Sequence, residues 1–322
     1  MSRRPELSIV TTLYRSQATI AEFVRRSIAA AEKITRSFEI VIVDDGSPDN
    51  SLSLAVGMAE KDARIKVVEL SRNFGHHKAL MTGLMHAEGD YCFLIDSDLE
   101  EAPELLIEFW NKRLETGKDV IFGFQKQRAG DWKRRFTGKI AYWLFRLLLS
   151  GIDVPPNHIT VRLMSRPFVD ALISHREQKT AIGGLWIITG FHQQGIAVEK
   201  GVRRRPSYTF ATRWHNLIDS ITSFSEVPLI GIFYLGMLVS LFAGTATVYL
   251  LSLHLLGLQR MQGWVSVMLS IWLIGGLLIF CVGIIGIYIS KIFIETKQRP
   301  YTIVRKIYRS PQSTTGDAPG VQ

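Results

Sequence analysis

The chain has 322 residues, of which 47% are hydrophobic and 21% are charged, and this composition excludes an intrinsically disordered protein. Its two cysteines, Cys92 and Cys281, lie far apart in apolar segments, which excludes a disulfide framework and a Cys-x-x-Cys metal or redox motif. The net charge of +9 would suit a nucleic-acid partner, but the mean hydropathy of +0.14 is high for a soluble domain and indicates contact with lipid.

The first 125 residues alternate strand-like and helix-like segments. The strand-like runs are 7–13, 39–44, 65–70, 91–95 and 119–124, and the helix-like segments between them are 18–34, 50–61, 78–87 and 103–116. Repeated β-α units of this kind predict an α/β fold with a doubly wound, mainly parallel sheet. Ligands of such sheets bind beyond the carboxyl ends of the strands.

Carboxylates follow the second and fourth predicted strands. Asp44 and Asp45 end the second, where they could also serve only a turn and a helix start, and Asp96, Asp98 and Glu100 follow the fourth. Residues i and i+2 of an extended chain point to the same side about 6.5 Å apart, so Asp96 and Asp98 can face one point. Either a carboxyl takes up a proton there, or a divalent cation lies between them. An oxygen-rich site suits Mg²⁺ or Mn²⁺ holding the phosphates of a nucleotide.

The segment 71–78 after the third predicted strand is basic and opens a helix, so it offers backbone N–H groups and a cation to an anion. It contains His76 and His77. Surface histidines are commoner than ligands or bases, and the sequence assigns neither of them a chemical role.

A basic segment precedes an apolar one in the middle of the chain. Six basic residues lie within 126–139, and the apolar run 140–149 follows them. This order predicts an amphipathic helix at the membrane surface, the alternative being a core-packed helix. A second basic stretch, 200–205, leads to Ser207. Because these basic clusters flank apolar segments rather than a nucleic-acid-reading motif, no nucleic-acid partner is predicted.

Two long stretches near the C-terminus, between Glu226 and Arg260 and between Arg260 and Lys291, carry no formal charge. Each exceeds the roughly 20 residues that cross a bilayer, so two transmembrane helices are predicted at 229–251 and 265–289, the alternative being a hairpin buried in a soluble core. The start of the chain lacks the apolar core of a signal peptide. Basic residues are concentrated after Lys291, which predicts a multi-pass protein of the inner (plasma) membrane. Its N-terminal domain, basic tail and both termini would be cytoplasmic, and the end of the tail, 311–322, would be disordered.

Three motifs and the paired apolar helices together resemble family 2 glycosyltransferases, in particular the group that loads sugars onto polyprenyl phosphates. The motifs are IVDDGS at 42–47, SRNFGH at 71–76 and DSDL at 96–99. The group includes dolichyl-phosphate mannose synthase and undecaprenyl-phosphate glucosyltransferases. The likeness extends over about residues 6–308, through ITSFS at 221–225 and KQRP at 297–300.

The resemblance implies a GT-A fold over 1–125, an acceptor-side segment over 126–226, a nucleotide-sugar donor, Mg²⁺ or Mn²⁺, and a polyprenyl phosphate acceptor such as undecaprenyl phosphate. It assigns catalysis and metal binding to Asp96 and Asp98, and donor binding to four residues: Asp44, Asp45, Tyr14 and Arg72. Glu100 departs from the family's pattern and is predicted as a further metal ligand because it is charged. The acceptor phosphate is assigned to basic and hydroxyl side chains of the two basic stretches: Arg128, Arg134, Arg135, Lys139, Arg203, Arg205 and Ser207.

The expected reaction is an inverting sugar transfer without a general base, because a phosphate monoester with a second pKa near 6 is already largely dianionic at neutral pH. Two alternatives remain. One is a family 2 transferase acting on a glycan or another lipid, and the other is a catalytically inactive, membrane-anchored nucleotide-binding protein. The second is kept open by Glu100, where relatives usually have Gln, and by TLYRS at 12–16, where they usually have Pro-x-Tyr-Asn-Glu. Small residues of the second apolar helix, such as Gly283 and Gly286, predict a homo-oligomer.

Overall fold

The computed structural model describes residues 4–125, 158–175, 182–198, 227–256 and 263–310, and every statement below concerns these ranges. The chain divides into two compact units. Among the described residues, the first unit comprises 4–125, 158–175, 182–198 and 299–310, and the second comprises 227–256 and 263–298. The predicted surface helix at 126–149 and the basic stretch at 200–205 lie outside the described residues.

The first unit alternates strands and helices along its N-terminal half. Its elements are β1 (Leu7–Leu13), α1 (Ile20–Ala31), β2 (Phe38–Asp44), α2 (Ser51–Lys61), β3 (Ile65–Leu70), α3 (His76–His86), β4 (Tyr91–Leu94), α4 (Leu105–Thr116), β5 (Val120–Phe124), β6 (His158–Ser165), α5 (Arg166–Ser174), α6 (Ile182–Ile188), β7 (Gln193–Ala197) and, after the second unit, β8 (Val304–Tyr308). The strands and helices predicted up to residue 124 are confirmed to within about two residues at most ends, because each carries its own hydrophobic period.

The strands form one eight-stranded sheet in the order β7-β5-β6-β4-β1-β2-β3-β8. The central strands β3, β2, β1 and β4 are parallel, β7 is parallel to β5, and β6 and β8 run antiparallel to their neighbours. Leu13 of β1 is in register with Asp44 of β2, so these strands end at the same edge. The predicted α/β class is confirmed, with a mixed sheet whose central strands are parallel.

Helices cover both faces of the central strands. On one face, Phe23 of α1 and Phe109 of α4 join a buried cluster with sheet residues such as Phe93, whose ring meets that of Phe109 edge to face at 5.8 Å. On the other face α3 lies close against β1, since a Cβ at Gly83 would come within 2.5 Å of the Val10 side chain. The helix begins shortly after β3 ends, so its start lies at the carboxyl edge of the sheet.

The edge strand β8 was not predicted from the sequence. It follows the second apolar helix and pairs antiparallel with β3, with Glu69 opposite Lys306. Glu69 is a buried residue, and its carboxylate accepts hydrogen bonds from Arg305 Nη1 at 3.0 Å and from the Tyr308 hydroxyl at 2.8 Å. Two hydroxyls, those of Thr82 and Thr302, meet at 2.8 Å. Part of the basic tail is therefore built into the sheet.

The second unit consists, among the described residues, of two long helices, α7 (Val227–Leu255) and α8 (Trp264–Thr296). Both predicted apolar helices exist and extend beyond their predicted ends. Within the described part of the chain, one helical stretch, Ile274–Thr296, is long and apolar enough to cross a membrane, while the apolar stretch in α7, Pro228–Val239, is shorter. The second crossing of the predicted hairpin is therefore not confirmed.

Candidate active site

The first loop of the site follows β2. Asp44 and Asp45 are buried residues, 2% and 3% exposed. Asp45 accepts hydrogen bonds from the backbone N–H groups of Phe74 at 2.6 Å and Gly75 at 3.0 Å, and so holds the loop that leads into α3. Burial raises the pKa of Asp45, opposed by these two hydrogen bonds, and burial likewise raises the pKa of Asp44. Their predicted donor-binding roles stay predictions.

The loops after β2 and β3 touch at a glycine. Gly46 has φ +65°, and a Cβ on it would lie 2.7 Å from the backbone nitrogen of Asn73 and 2.8 Å from the carbonyl carbon of Arg72. Both the left-handed backbone and the close approach require glycine here. The segment 44–47 therefore fixes the position of the loop at 71–75.

The loop after β4 displays the two predicted catalytic aspartates. Ser97, which lies between them, is 4% exposed, and its hydroxyl donates to the carbonyl oxygen of Thr12 at 2.7 Å. Asp96 on one side is partly exposed and Asp98 on the other is exposed. The Oδ1 atom of Asp96 is itself buried, so of the two carboxylates it is that of Asp98 that is exposed, and their predicted roles stay predictions.

A tight turn follows. Asp98 Oδ1 accepts the backbone N–H of Glu100 at 3.0 Å, and Leu99 between them has φ +60°, which is unfavourable for a residue with a branched side chain. Left-handed backbone at a non-glycine residue is often found at functional sites, where the surrounding structure maintains it. Here the turn sets the direction of the Asp98 carboxylate.

His76, the first residue of α3, joins this loop to β1. Its Nδ1 lies 3.2 Å from Thr12 Oγ1, and its Nε2 lies 3.3 Å from Asp96 Oδ1. Removal from water lowers the pKa of His76, and the charges of Asp45 and Asp98 oppose that effect. No role for His76 followed from the sequence. The indication that the sequence contained was the position of His76 in the segment that opens a helix at the carboxyl edge of the sheet.

Two further predicted donor-binding residues lie at the rim of this edge. The Tyr14 side chain is 49% exposed, and the guanidinium of the adjacent Arg15, which has φ +57°, lies 5.6 Å from the centre of its ring. Arg72 is exposed, with its guanidinium 4.1 Å from the centre of the Phe74 ring. Both side chains are accessible to a ligand, and their roles stay predictions.

The described residues contain no group of three or more His, Cys, Asp or Glu side chains arranged to hold a metal ion. Asp96, Asp98 and Glu100 thus do not form a preformed three-carboxylate site. Mg²⁺ generally takes one or two carboxylates from the protein and completes its coordination with substrate phosphates and water. The hard oxygen donors of Asp96 and Asp98 fit that requirement, so these two residues would hold the ion.

The predicted acceptor-phosphate residues lie outside the described residues, and their roles stay predictions; they are Arg128, Arg134, Arg135, Lys139, Arg203, Arg205 and Ser207.

Comparison with known proteins places these residues in a family. The model of glycosyl transferase family 2 matches residues 8–172, which include both pairs of aspartates. A relative with a glycosyltransferase name from Mycobacterium tuberculosis (strain CDC 1551 / Oshkosh) is 50% identical over 311 residues, covering 96% of this chain and 90% of the relative. The bactoprenol glucosyl transferase of Shigella phage SfII is 29% identical over 311 residues, covering 94% and 99%.

Among solved structures, mannosyl-3-phosphoglycerate synthase from Rubrobacter xylanophilus aligns over 68% of this chain and 73% of its own, with a TM-score of 0.48 and 17% identity. The family predicted from the motifs is confirmed by the sequence matches. This chain is a glycosyltransferase that belongs to glycosyl transferase family 2.

Proposed function

We propose that this protein transfers a sugar from a nucleotide-sugar to a polyprenyl phosphate, most simply undecaprenyl phosphate, at the cytoplasmic face of the membrane. The observation that carries the proposal is the position of Asp96 and Asp98 directly after β4, at the carboxyl edge of the sheet and on either side of the buried Ser97. Similarity to a bactoprenol glucosyl transferase along nearly the whole chain supports the choice of acceptor.

The donor would lie along this edge with its diphosphate between Asp98 and Arg72. The exposed Arg72 guanidinium would contact the diphosphate, and Asp45 would act by holding the loop that carries Arg72. Mg²⁺ or Mn²⁺ held by Asp96 and Asp98 would offset the charge that develops on the departing nucleoside diphosphate.

The acceptor phosphate needs no general base, since it is already an anion at neutral pH. The protein's work would be to bring it beside the anomeric carbon on the side opposite the diphosphate, which gives inversion. We assign that task to the basic residues of 126–139 and 200–205. The apolar helices α7 and α8 would form a two-helix membrane hairpin of the inner membrane, with packing between copies in a homo-oligomer.

The test uses full-length protein in detergent with undecaprenyl phosphate, Mg²⁺ or Mn²⁺, and a panel of labelled UDP-, GDP- and dTDP-sugars. We expect one sugar to enter an organic-extractable product, and D98N to reduce turnover at least about 100-fold, the equivalent of several kcal/mol of lost charge stabilisation. The matched control D170N, which removes an exposed carboxylate of α5, should leave turnover unchanged.

Two results would contradict the proposal. Label that appears only in a water-soluble polymer indicates a glycan acceptor. Donor binding without any turnover indicates an inactive nucleotide-binding protein.

A further inference from the structure

The part of the basic tail that forms the edge of the sheet also binds the start of the loop at 71–75. The backbone N–H of Ser71 donates to the carbonyl oxygen of Ile303 at 2.9 Å, and Arg305 Nη2 donates to the carbonyl oxygen of Ser71 at 3.2 Å. Both backbone polar groups of Ser71 are therefore bound by the tail. The next residue is Arg72, whose exposed guanidinium belongs to the site.

A β-bulge accompanies the contact made by Arg305. Glu69 is opposite Lys306, but the next residue of β3, Leu70, is opposite Val304. Arg305 is therefore an extra residue of β8, with no residue of β3 opposite it. Successive side chains of a regular strand point to opposite faces, and a bulge breaks this alternation and redirects a side chain. The Arg305 guanidinium reaches the Glu69 carboxylate with Nη1 at 3.0 Å and the Ser71 carbonyl with Nη2.

The tail also contacts the start of α3, which follows the loop. Lys78 Nζ donates to the carbonyl oxygen of Tyr301 at 3.4 Å, and the hydroxyls of Thr82 and Thr302 lie 2.8 Å apart. The segment 301–305 thus contacts the chain on both sides of the loop.

The second half of the loop is held by β2. The Asp45 carboxylate accepts hydrogen bonds from the backbone N–H groups of Phe74 at 2.6 Å and Gly75 at 3.0 Å. Arg72 lies between these hydrogen bonds and those that the tail makes with Ser71. Its direction therefore depends on contacts at both ends of the loop.

We propose that Arg305 is a positioning residue: it fixes the Ser71 carbonyl and so sets the direction in which the loop presents Arg72 to the donor diphosphate. The inference rests on the proposed function in so far as Arg72 contacts the donor. It makes the donor site dependent on residues that follow the second unit along the chain. The net contribution of one hydrogen bond corresponds to about a 3- to 10-fold shift of an equilibrium, and an effect of that size is expected on the loop.

Three variants separate positioning from general stabilisation of the edge strand. Arg305→Met keeps the aliphatic stem and removes both hydrogen bonds. Tyr308→Phe removes another donor to the same Glu69 carboxylate but leaves the contact with Ser71 in place. Arg309→Met is the matched control, since it removes an exposed ion pair of the tail, with Glu88 at 2.9 Å, that does not involve the loop.

The first measurement is hydrogen–deuterium exchange of the full-length protein in detergent without donor, followed by mass spectrometry of peptides that cover 71–75. We expect Arg305→Met to speed exchange there by about 3- to 10-fold, and Tyr308→Phe and Arg309→Met to leave it unchanged. The second measurement is initial-rate kinetics with the nucleotide-sugar that the transfer assay identifies. Arg305→Met should raise the donor KM by a similar factor with kcat nearly unchanged, because the contact it weakens is made in the ground state and the transition state alike.

Arg305→Lys keeps the question testable if Arg305→Met does not fold. Two guanidinium nitrogens bind Glu69 and Ser71 together, whereas lysine has a single nitrogen and cannot bridge them. An ammonium group that pairs with the carboxylate gives up the carbonyl. Arg305→Lys should therefore speed exchange at 71–75 as Arg305→Met does, while its thermal unfolding midpoint stays close to that of the wild type.

Unchanged exchange at 71–75 in both Arg305 variants would overturn the positioning role. An equal increase in Tyr308→Phe would also overturn it, because β8 would then only stabilise the sheet as a whole. The exchange measurement contains no donor, so it is independent of sugar transfer. Faster exchange in Arg305→Met with no transfer by the wild type would refute the proposed function and leave the loop contact standing. Transfer by the wild type with the same donor KM in Arg305→Met would refute the positioning role alone.

Discussion

The contact between the loops after β2 and β3 predicts that Gly46→Ala damages the site and the fold together. The left-handed φ of +65° costs an alanine about 1–2 kcal/mol. The added methyl group would also lie 2.7 Å from the backbone nitrogen of Asn73, and backbone cannot rotate away as a side chain can. Overpacking of this kind costs about 1–3 kcal/mol more. The total expected loss of stability is thus about 2–5 kcal/mol.

Gly117 provides a matched control. It has φ +61° and closes α4, and a Cβ added to it would meet no atom within 4 Å, so Gly117→Ala introduces the backbone strain without the collision. Thermal unfolding of both full-length variants in detergent, followed by tryptophan fluorescence, compares them directly. The extra 1–3 kcal/mol of Gly46→Ala corresponds to a midpoint lower by about 2–12 °C than that of Gly117→Ala, since 1 kcal/mol shifts a 150–250-residue domain by about 2–4 °C.

Equal midpoints for the two variants would refute the reasoning, because they would mean that the loop at 71–75 moves freely away from residue 46. A second readout follows from the same contact. Displacement of that loop moves Arg72, so Gly46→Ala should also raise the donor KM, whereas Gly117→Ala should not.

Two more predictions concern the edge strand and the buried thiol. Tyr308→Phe removes the hydrogen bond to the Glu69 carboxylate and should lower the free energy of unfolding of the first unit by about 1.5–3 kcal/mol. The loss is measured as a shift of the denaturant midpoint. An unchanged midpoint would mean that Tyr308 and Glu69 are not hydrogen-bonded in solution. Burial raises the pKa of Cys92 to about 11, so only about one thiol in a thousand is ionised at pH 8. N-ethylmaleimide should therefore modify Cys92 only after denaturation, as peptide mass spectrometry can show, and rapid labelling of the folded protein would contradict its burial.

Much of the site's location could be predicted from the sequence, because the relevant patterns are local. Hydrophobic period and turn residues place β2 and β4 and put Asp44, Asp45, Asp96 and Asp98 directly after them. Parallel strands then bring these carboxylates to one edge. The role of the buried Ser97 was not visible, since a serine between two aspartates looks the same whether its hydroxyl faces solvent or the carbonyl of Thr12.

Sequence alone determined the α/β character of the first 125 residues, the two apolar helices and membership of the family, since each depends on residues near one another along the chain. Tertiary structure decided that β8 completes the sheet and that Thr12, His76 and Asp96 meet. Glu69 and Arg305 are 236 residues apart, and Thr12 and His76 are 64 apart. Contacts between residues so far apart in the sequence depend on the path of the whole chain. The hydrophobic pattern of a short segment does not determine that path, so these contacts become visible only in the folded molecule.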